Sequence, residues 1–142
     1  MKVSQQIHGK NGIANIDLPP SRRRIEEKNG VDFYIESAHK YQRSLLIVLT
    51  GPLTNLDAAI QKGPTIIDLI WHVTFMGDAL TVAGNVNAVT ESNINQDPLA
   101  ANEIFKSELD ITMIRLNVTT QTLLTKKENT KWRQLKIKYF GK

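Results

Sequence analysis

Cysteine is absent from all 142 residues, which removes disulfide frameworks, thiolate zinc sites and cysteine nucleophiles together. Any metal ion must be held by oxygen or by one of three histidines. Long apolar runs are absent too. Nothing approaches the ~18 uninterrupted apolar residues that a membrane span needs, and residues 1–10, MKVSQQIHGK, hold no apolar stretch of signal-peptide length. No membrane partner is expected, and the cytoplasm is the expected compartment. Charge of one sign is scarce as well: a net charge of +4, with 41% hydrophobic and 23% charged residues, is globular rather than disordered or fibrous. A chain of this length is expected to bury one core, so residues 1–142 are read as a single domain.

The small positive excess is unevenly spread. Seven of the eighteen basic residues lie in the last seventeen positions, and residues 128–142 read as a basic tail. There Leu135, Ile137 and Tyr139 alternate with Lys136 and Lys138, as a strand with one basic face does. A small nucleic-acid-binding module using this tail is therefore a competing function. Lysines guarding an edge strand are the commoner use of the pattern, so nucleic acid is not the favoured partner. A second basic cluster, Arg22 to Arg24, is followed by Glu26 and Glu27, which neutralise much of its field on a helix surface.

What remains is an alternation of helix-like and strand-like segments. Val31, Tyr34, Ile35, Ala38 and Tyr41 recur at helical spacing. The run SLLIVLT, 44–50, is apolar without alternation, the pattern of a strand covered on both faces near the centre of a parallel sheet. Leu53, Leu56 and Ile60 then share a helical stripe that Gly63-Pro64 stops. A helical turn is expected at 66–70 and a second buried strand at 71–76. Residues 77–96, rich in asparagine, read as a long loop of the functional kind. Asp97-Pro98 opens a helix with a capping carboxylate and a proline at the first position, with Ala101, Ile104, Phe105 and Leu109 on its buried side. A third strand is expected over 111–119, and a helix from 120 to about 127. The fold class is thus α/β, an open, mostly parallel sheet with flanking helices and right-handed crossovers. Ligands of such sheets sit at the carboxyl ends of the strands. Those ends are expected at Thr50-Gly51, Met76-Gly77-Asp78 and Asn117-Val118-Thr119, on the side where the asparagine-rich loop emerges.

Four segments together resemble the inosine-uridine preferring nucleoside hydrolases: IHGKNGIANIDLPPS at 7–21, LTGPLTNLDAAI at 49–60, FMGDALTVAGNVNAVTESNINQDPLAA at 75–101 and ITMIRLNVTTQT at 111–122. The third is the specific one, because a Gly-Asn pair, a glutamate and asparagine two apart, and then Asp-Pro are hard to motivate from packing. The resemblance implies hydrolysis of the N-glycosidic bond of ribonucleosides such as inosine or uridine, giving free base and ribose. It implies a calcium ion that binds the ribose diol and the attacking water. Residue by residue, Thr50 matches the position whose main-chain carbonyl reaches that ion. Met76, Asn85, Glu91 and Asn93 match positions that line the ribose, where amide and carboxylate groups hydrogen-bond hydroxyls. Taken singly, each has a plainer use: Met76 as core filling, Asn85 as a turn residue and Glu91 as a solvated loop carboxylate. His8 lies in the HG loop that the resemblance places near the pocket, His39 on the polar side of a helix, and His72 within a strand as a hydrogen-bonded structural imidazole.

The sequence also departs from the family. Members are about twice as long, with an aspartate cluster ending their first strand and a histidine-aspartate pair far downstream. No residue here matches either, so no catalytic residue is carried over. The expectation is a truncated, central portion of the fold that is weakly active or inactive alone and does not bind calcium tightly. One half of a split hydrolase is the other possibility, and a homo-oligomer or a complementing fragment is the expected partner of an incomplete sheet. Locally, the family's second glycine after methionine is Asp78, its aromatic between glutamate and asparagine is Ser92, and its LDVTHQ reads LNVTTQ at 116–121.

Overall fold

Three short strands, β1 (Leu46–Leu49), β2 (His72–Met76) and β3 (Ile111–Ile114), run parallel in the order β1-β2-β3 in the computed structural model, which describes residues 5–134. Their register sets one face of the sheet. Ile47, Val73 and Ile111 stand in one row, with Leu49, Phe75 and Met113 in the next. Successive strand residues point to opposite faces, so these two rows meet a single layer of helices.

That layer is built from α2 (Gly30–Tyr41), α3 (Thr54–Lys62), α4 (Ile66–Leu69) and α6 (Pro98–Lys106). Asn29 caps α2 by accepting from the Asp32 amide at 2.9 Å. The helices bury Ala38, Leu56, Ala59, Ile66, Ala100, Ala101 and Ile104 against the strand rows, giving one contiguous core. Small residues at 38, 59, 100 and 101 sit on α2, α3 and α6, helices whose backbones lie close to one another. Short helices α1 (Gln5–His8), α5 (Ser92–Gln96) and α7 (Leu116–Thr119) and the exposed α8 (Lys126–Gln134) complete the described residues. None of the described helices is long and apolar enough to cross a membrane.

The α/β class, the parallel sheet and the capped start of α6 are as the sequence predicts, and several boundaries differ. β1 is an edge strand of this sheet rather than a central one, and it is covered on one face only. Leu46 and Val48 are 47% and 62% exposed. An unalternated apolar run shows that both faces suit burial; it does not show that a second layer is present. β3 stops at Ile114 because the chain turns there. The amides of Val118 and Thr119 bond back to the Arg115 carbonyl, and the Thr120 hydroxyl bonds to the Leu116 carbonyl at 2.8 Å, so 116–119 is helical. The helix expected over 120–127 begins later. Thr125 and Glu128 form a reciprocal cap: Glu128 accepts from the Thr125 amide at 2.8 Å, and Thr125 Oγ1 accepts from the Glu128 amide at 3.2 Å. Ser92–Gln96 adds a helical turn inside the expected loop. Arg22–Arg24 lie outside any helix, and Tyr41 and Phe105 are half exposed. Phe105 nonetheless sets its ring edge-on to Phe75, 5.6 Å between centroids. The alternating strand expected at 135–139 lies outside the described residues.

Phe75, fully buried at the centre of the strand rows, is expected to cost about 3–5 kcal/mol when cut to alanine. Val48→Thr on the open face is expected to stay within about 0.5 kcal/mol of the parent protein. Urea denaturation of the two variants measures the contrast.

Candidate functional site

Neighbouring parallel strands leave their last carbonyls without ladder partners where they stop. Here β1 ends at Leu49, which pairs with Phe75, and β2 runs one residue further to Met76, which pairs with Ile114 on its other side, so Thr50 just beyond β1 lies beside Met76. Both carbonyls receive the same donor. The Asn93 side-chain nitrogen donates to the Met76 carbonyl at 3.0 Å and to the Thr50 carbonyl at 3.4 Å, and it lies 3.4 Å from Met76 Sδ. A residue of the returning loop thus closes the carboxyl end of the sheet.

The loop that delivers Asn93 is held by its own polar side chains. Glu91 Oε2 accepts from the amides of Asn93 at 2.8 Å and Ile94 at 3.1 Å, capping α5. The residue is 2% exposed, and those two N–H groups compensate its buried carboxylate. Asn85 Oδ1 accepts from the Ser92 amide at 2.8 Å. Asn87 Oδ1 takes the amides of Val89 and Thr90 in a tight turn. Gly84 is required by close approach, since a Cβ there would lie 2.1 Å from the Thr90 carbonyl oxygen. At Gly77 a Cβ would meet Ile94 Cδ1 at 3.0 Å, so glycine lets α5 settle onto the end of β2.

All five residues singled out in the sequence therefore belong to one connected group. Thr50 and Met76 offer carbonyls, Asn93 bridges them, Glu91 fixes Asn93, and Asn85 anchors Ser92, the residue just after Glu91. Their polar atoms are not all turned outward. Glu91 is a buried capping group rather than a solvated one, while Asn85 and Thr50 are exposed. The third strand end is at Ile114-Arg115 instead of 117–119. Residues 115–117 pin the neighbouring lip: Leu116 N donates to the Asp78 carbonyl at 2.9 Å, Asn117 Oδ1 accepts from Leu80 N at 3.1 Å, and Asn117 also meets Thr81 Oγ1. Arg115 Nε is 3.3 Å from Asp78 Oδ2, an ion pair without hydrogen-bond direction. Asp78 has φ +70°, the left-handed region that favours glycine. Two of the departures from the family pattern, Asp78 and Asn117, thus meet at one lip.

Sequence reasoning missed the tie beneath this group. Asp97 caps α6 through Oδ1, accepting from Ala100 N at 3.1 Å, and its Oδ2 accepts the Thr54 hydroxyl at 2.6 Å. The Thr54 hydroxyl, followed by the Ala100 amide, holds the Asp97 carboxyl below its ordinary value of 3.8. An Asp-Pro pair signals a cap, but a cap signal carries no information about a partner 43 residues away.

Among the described residues no three histidine, aspartate or glutamate side chains gather to hold a metal. The two strand-end carbonyls also face an N–H donor, which has the wrong polarity for sharing a cation with them. His72 sits at the opposite end of β2, bonded to Asp110 Oδ2 at 2.8 Å and Thr112 Oγ1 at 3.0 Å, a structural imidazole as expected. His8 ends α1 and His39 is exposed on α2. A shallow groove of about 620 Å³ runs along α2, lined by Lys28, Phe33, Glu36 and His39 among others. It holds none of the strand-end residues.

The profile of the family described as inosine-uridine preferring nucleoside hydrolase matches residues 1–141. Uridine nucleosidase 1 of Arabidopsis thaliana is 38% identical over 124 residues, 87% of this chain and 37% of that protein. An inosine-uridine preferring nucleoside hydrolase of Leishmania major is 31% identical over 127 residues, 88% of this chain and 40% of that one. The solved structure of a purine-preferring ribonucleoside hydrolase from Gardnerella vaginalis superposes with a TM-score of 0.85 at 52% identity, covering 92% of this chain and 41% of the other. The chain spans about two fifths of the length of these relatives.

Glu91→Ala is expected to cost about 1–2 kcal/mol and to melt α5, whereas Glu91→Gln keeps an acceptor oxygen and most of the stability; amide exchange of residues 93–96 distinguishes them. Asp97→Ala is expected to cost roughly 1–3 kcal/mol at neutral pH. Because folding lowers the Asp97 carboxyl, its contribution is present above the ordinary value of 3.8 and is lost as pH falls through the lower folded value. The stability gap between parent and Asp97→Ala should therefore stay level from pH 7 to 5 and close below about pH 4.

Proposed function

We propose, since this chain belongs to the inosine-uridine preferring nucleoside hydrolase family, that its strand-end loops form the ribose side of a site for hydrolysis of ribonucleoside N-glycosidic bonds. The reaction breaks the bond between ribose C1′ and the base nitrogen. Water oxygen joins C1′, and the base leaves with a proton. The transition state places positive charge on the sugar. What carries the reading is the Asn93 amide bridging the Thr50 and Met76 carbonyls.

Carbonyl oxygens at the strand ends are fixed dipoles whose negative ends suit ribose hydroxyl donors and a cationic sugar. The amides of Asn93 and Asn85 both give and accept, as a sugar hydroxyl does. Glu91 acts from beneath by fixing the backbone that presents Asn93, with its carboxylate committed to two amides. Asp97 is likewise committed to Thr54 and Ala100. Neither is positioned to take a proton from water. Calcium, which the resemblance implies, does not fit the described residues by themselves, because Thr50 supplies one neutral oxygen and no acidic cluster joins it. This chain alone is therefore proposed to bind the ribose weakly and to release base slowly.

Base preference is left to experiment, because the relatives named above differ in it. Saturation-transfer NMR of the full chain with millimolar inosine or uridine is expected to show contact with ribose protons, and Asn93→Ala is expected to abolish it. Base release measured by chromatography should be slow and should fall at least tenfold in the same variant. No ribose contact with the parent protein at millimolar nucleoside would refute the reading.

A further inference from the structure

Two hydrogen bonds cross between the loop after β1 and the segment around α5, and they share one register. Residue 50 meets residue 93, and residue 54 meets residue 97, each pair 43 residues apart in sequence. They differ in strength. The Asn93-to-Thr50 contact is 3.4 Å long and exposed, between neutral groups. The Thr54-to-Asp97 bond is 2.6 Å, part-buried and charge-assisted. The outer rung lies at the strand ends and the inner one lies four residues deeper.

The inner rung has no local purpose for its donor. Thr54 is the first residue of α3, whose N-terminus has no side-chain cap, yet its hydroxyl reaches across to another helix instead of serving its own. Asp97 in turn ends α5 and starts α6, so it moves with the segment that carries Asn93. The 3.0 Å bond from Asn93 to the Met76 carbonyl ties the amide to β2 and not to the loop after β1; across to that loop, the short bond to a carboxylate anchored at both oxygens is stronger than the long neutral contact.

We propose that Thr54 and Asp97 are a positioning pair that fixes the separation of the Thr50 carbonyl and the Asn93 amide, and thereby governs how tightly the strand ends hold a ribose. The proposal rests on the ribonucleoside reading above. The pair touches no substrate and acts only through residues 50 and 93.

The test uses the full chain labelled with ¹⁵N, with Thr54→Val to delete the hydroxyl at constant shape and Thr54→Ser to restore it. In the ligand-free protein, Thr54→Val is expected to shift the Asn93 side-chain amide resonances, and Thr54→Ser to return them to the parent positions. Uridine and inosine titrations are expected to weaken tenfold or more in Thr54→Val and to stay within twofold in Thr54→Ser. A merely structural role would lower the melting temperature and leave the Asn93 resonances and the nucleoside affinity of the folded variant unchanged, which overturns the proposal. Should Thr54→Val not fold, Asp97→Asn takes its place: asparagine still caps α6 but holds the hydroxyl without charge, and the same two readouts decide. A parent protein that binds neither nucleoside defeats the ribonucleoside reading, while the Asn93 resonances still decide whether the pair sets the spacing.

Discussion

Neighbouring parallel strands expose carbonyl oxygens where they end at one edge of the sheet, and the rest of this site follows from satisfying them. Thr50 and Met76 present those carbonyls side by side, and the side chain of Asn93 supplies the N–H groups. Delivering one amide to that point needs a loop that leaves β2, turns tightly at Asn87 with Gly84 packed against the Thr90 carbonyl, and returns as a capped helical turn. Glu91, Asn85 and Asn87 spend their oxygens on the backbone of that excursion. The asparagine-rich composition is the consequence: a loop with few apolar anchors holds its shape by side-chain acceptors placed on its own amides.

The acidic groups near the site are structural. Glu91 and Asp97 each have their carboxylates committed to N–H or O–H donors, and the energetic gain lies in fixing α5 and α6 over the strand ends. The same commitment means that charge at this end of the sheet is inward-facing and already compensated. The surface presented outward is made of carbonyls and amides, groups that recognise hydroxyls by direction rather than by charge. Asp78 and Asn117 add a second set of ties on the neighbouring lip, joining the end of β2 to the turn after β3.

Much of this was legible in the residues. The helical stripe of Leu53 and Leu56, the Asp97-Pro98 cap and the β-favouring runs at 44–50 and 71–76 predict the elements that form the core. The candidate group of Thr50, Met76, Asn85, Glu91 and Asn93 is brought together as one hydrogen-bonded unit. The illegible parts have identifiable causes. The Thr125-to-Glu128 capping box is present in the sequence and shows that α8 starts at Lys126, but apolar periodicity is absent from a helix that is exposed over residues 126–132. The burial of Glu91 could not be read, because a carboxylate in a polar loop looks the same whether it faces water or two amides.

Composition, periodicity and local caps determined that this chain forms a parallel α/β layer and where its first two strands end, since those signals act over a few residues and need no knowledge of distant ones. Tertiary structure alone decided which faces are covered, which side chains are spent on the backbone, and that residues 50 and 54 meet residues 93 and 97. Each of these depends on contacts between segments some forty residues apart. Local sequence fixes dihedral preferences and apolar stripes, whereas the partner of a hydroxyl or an amide is set by the register in which whole elements pack.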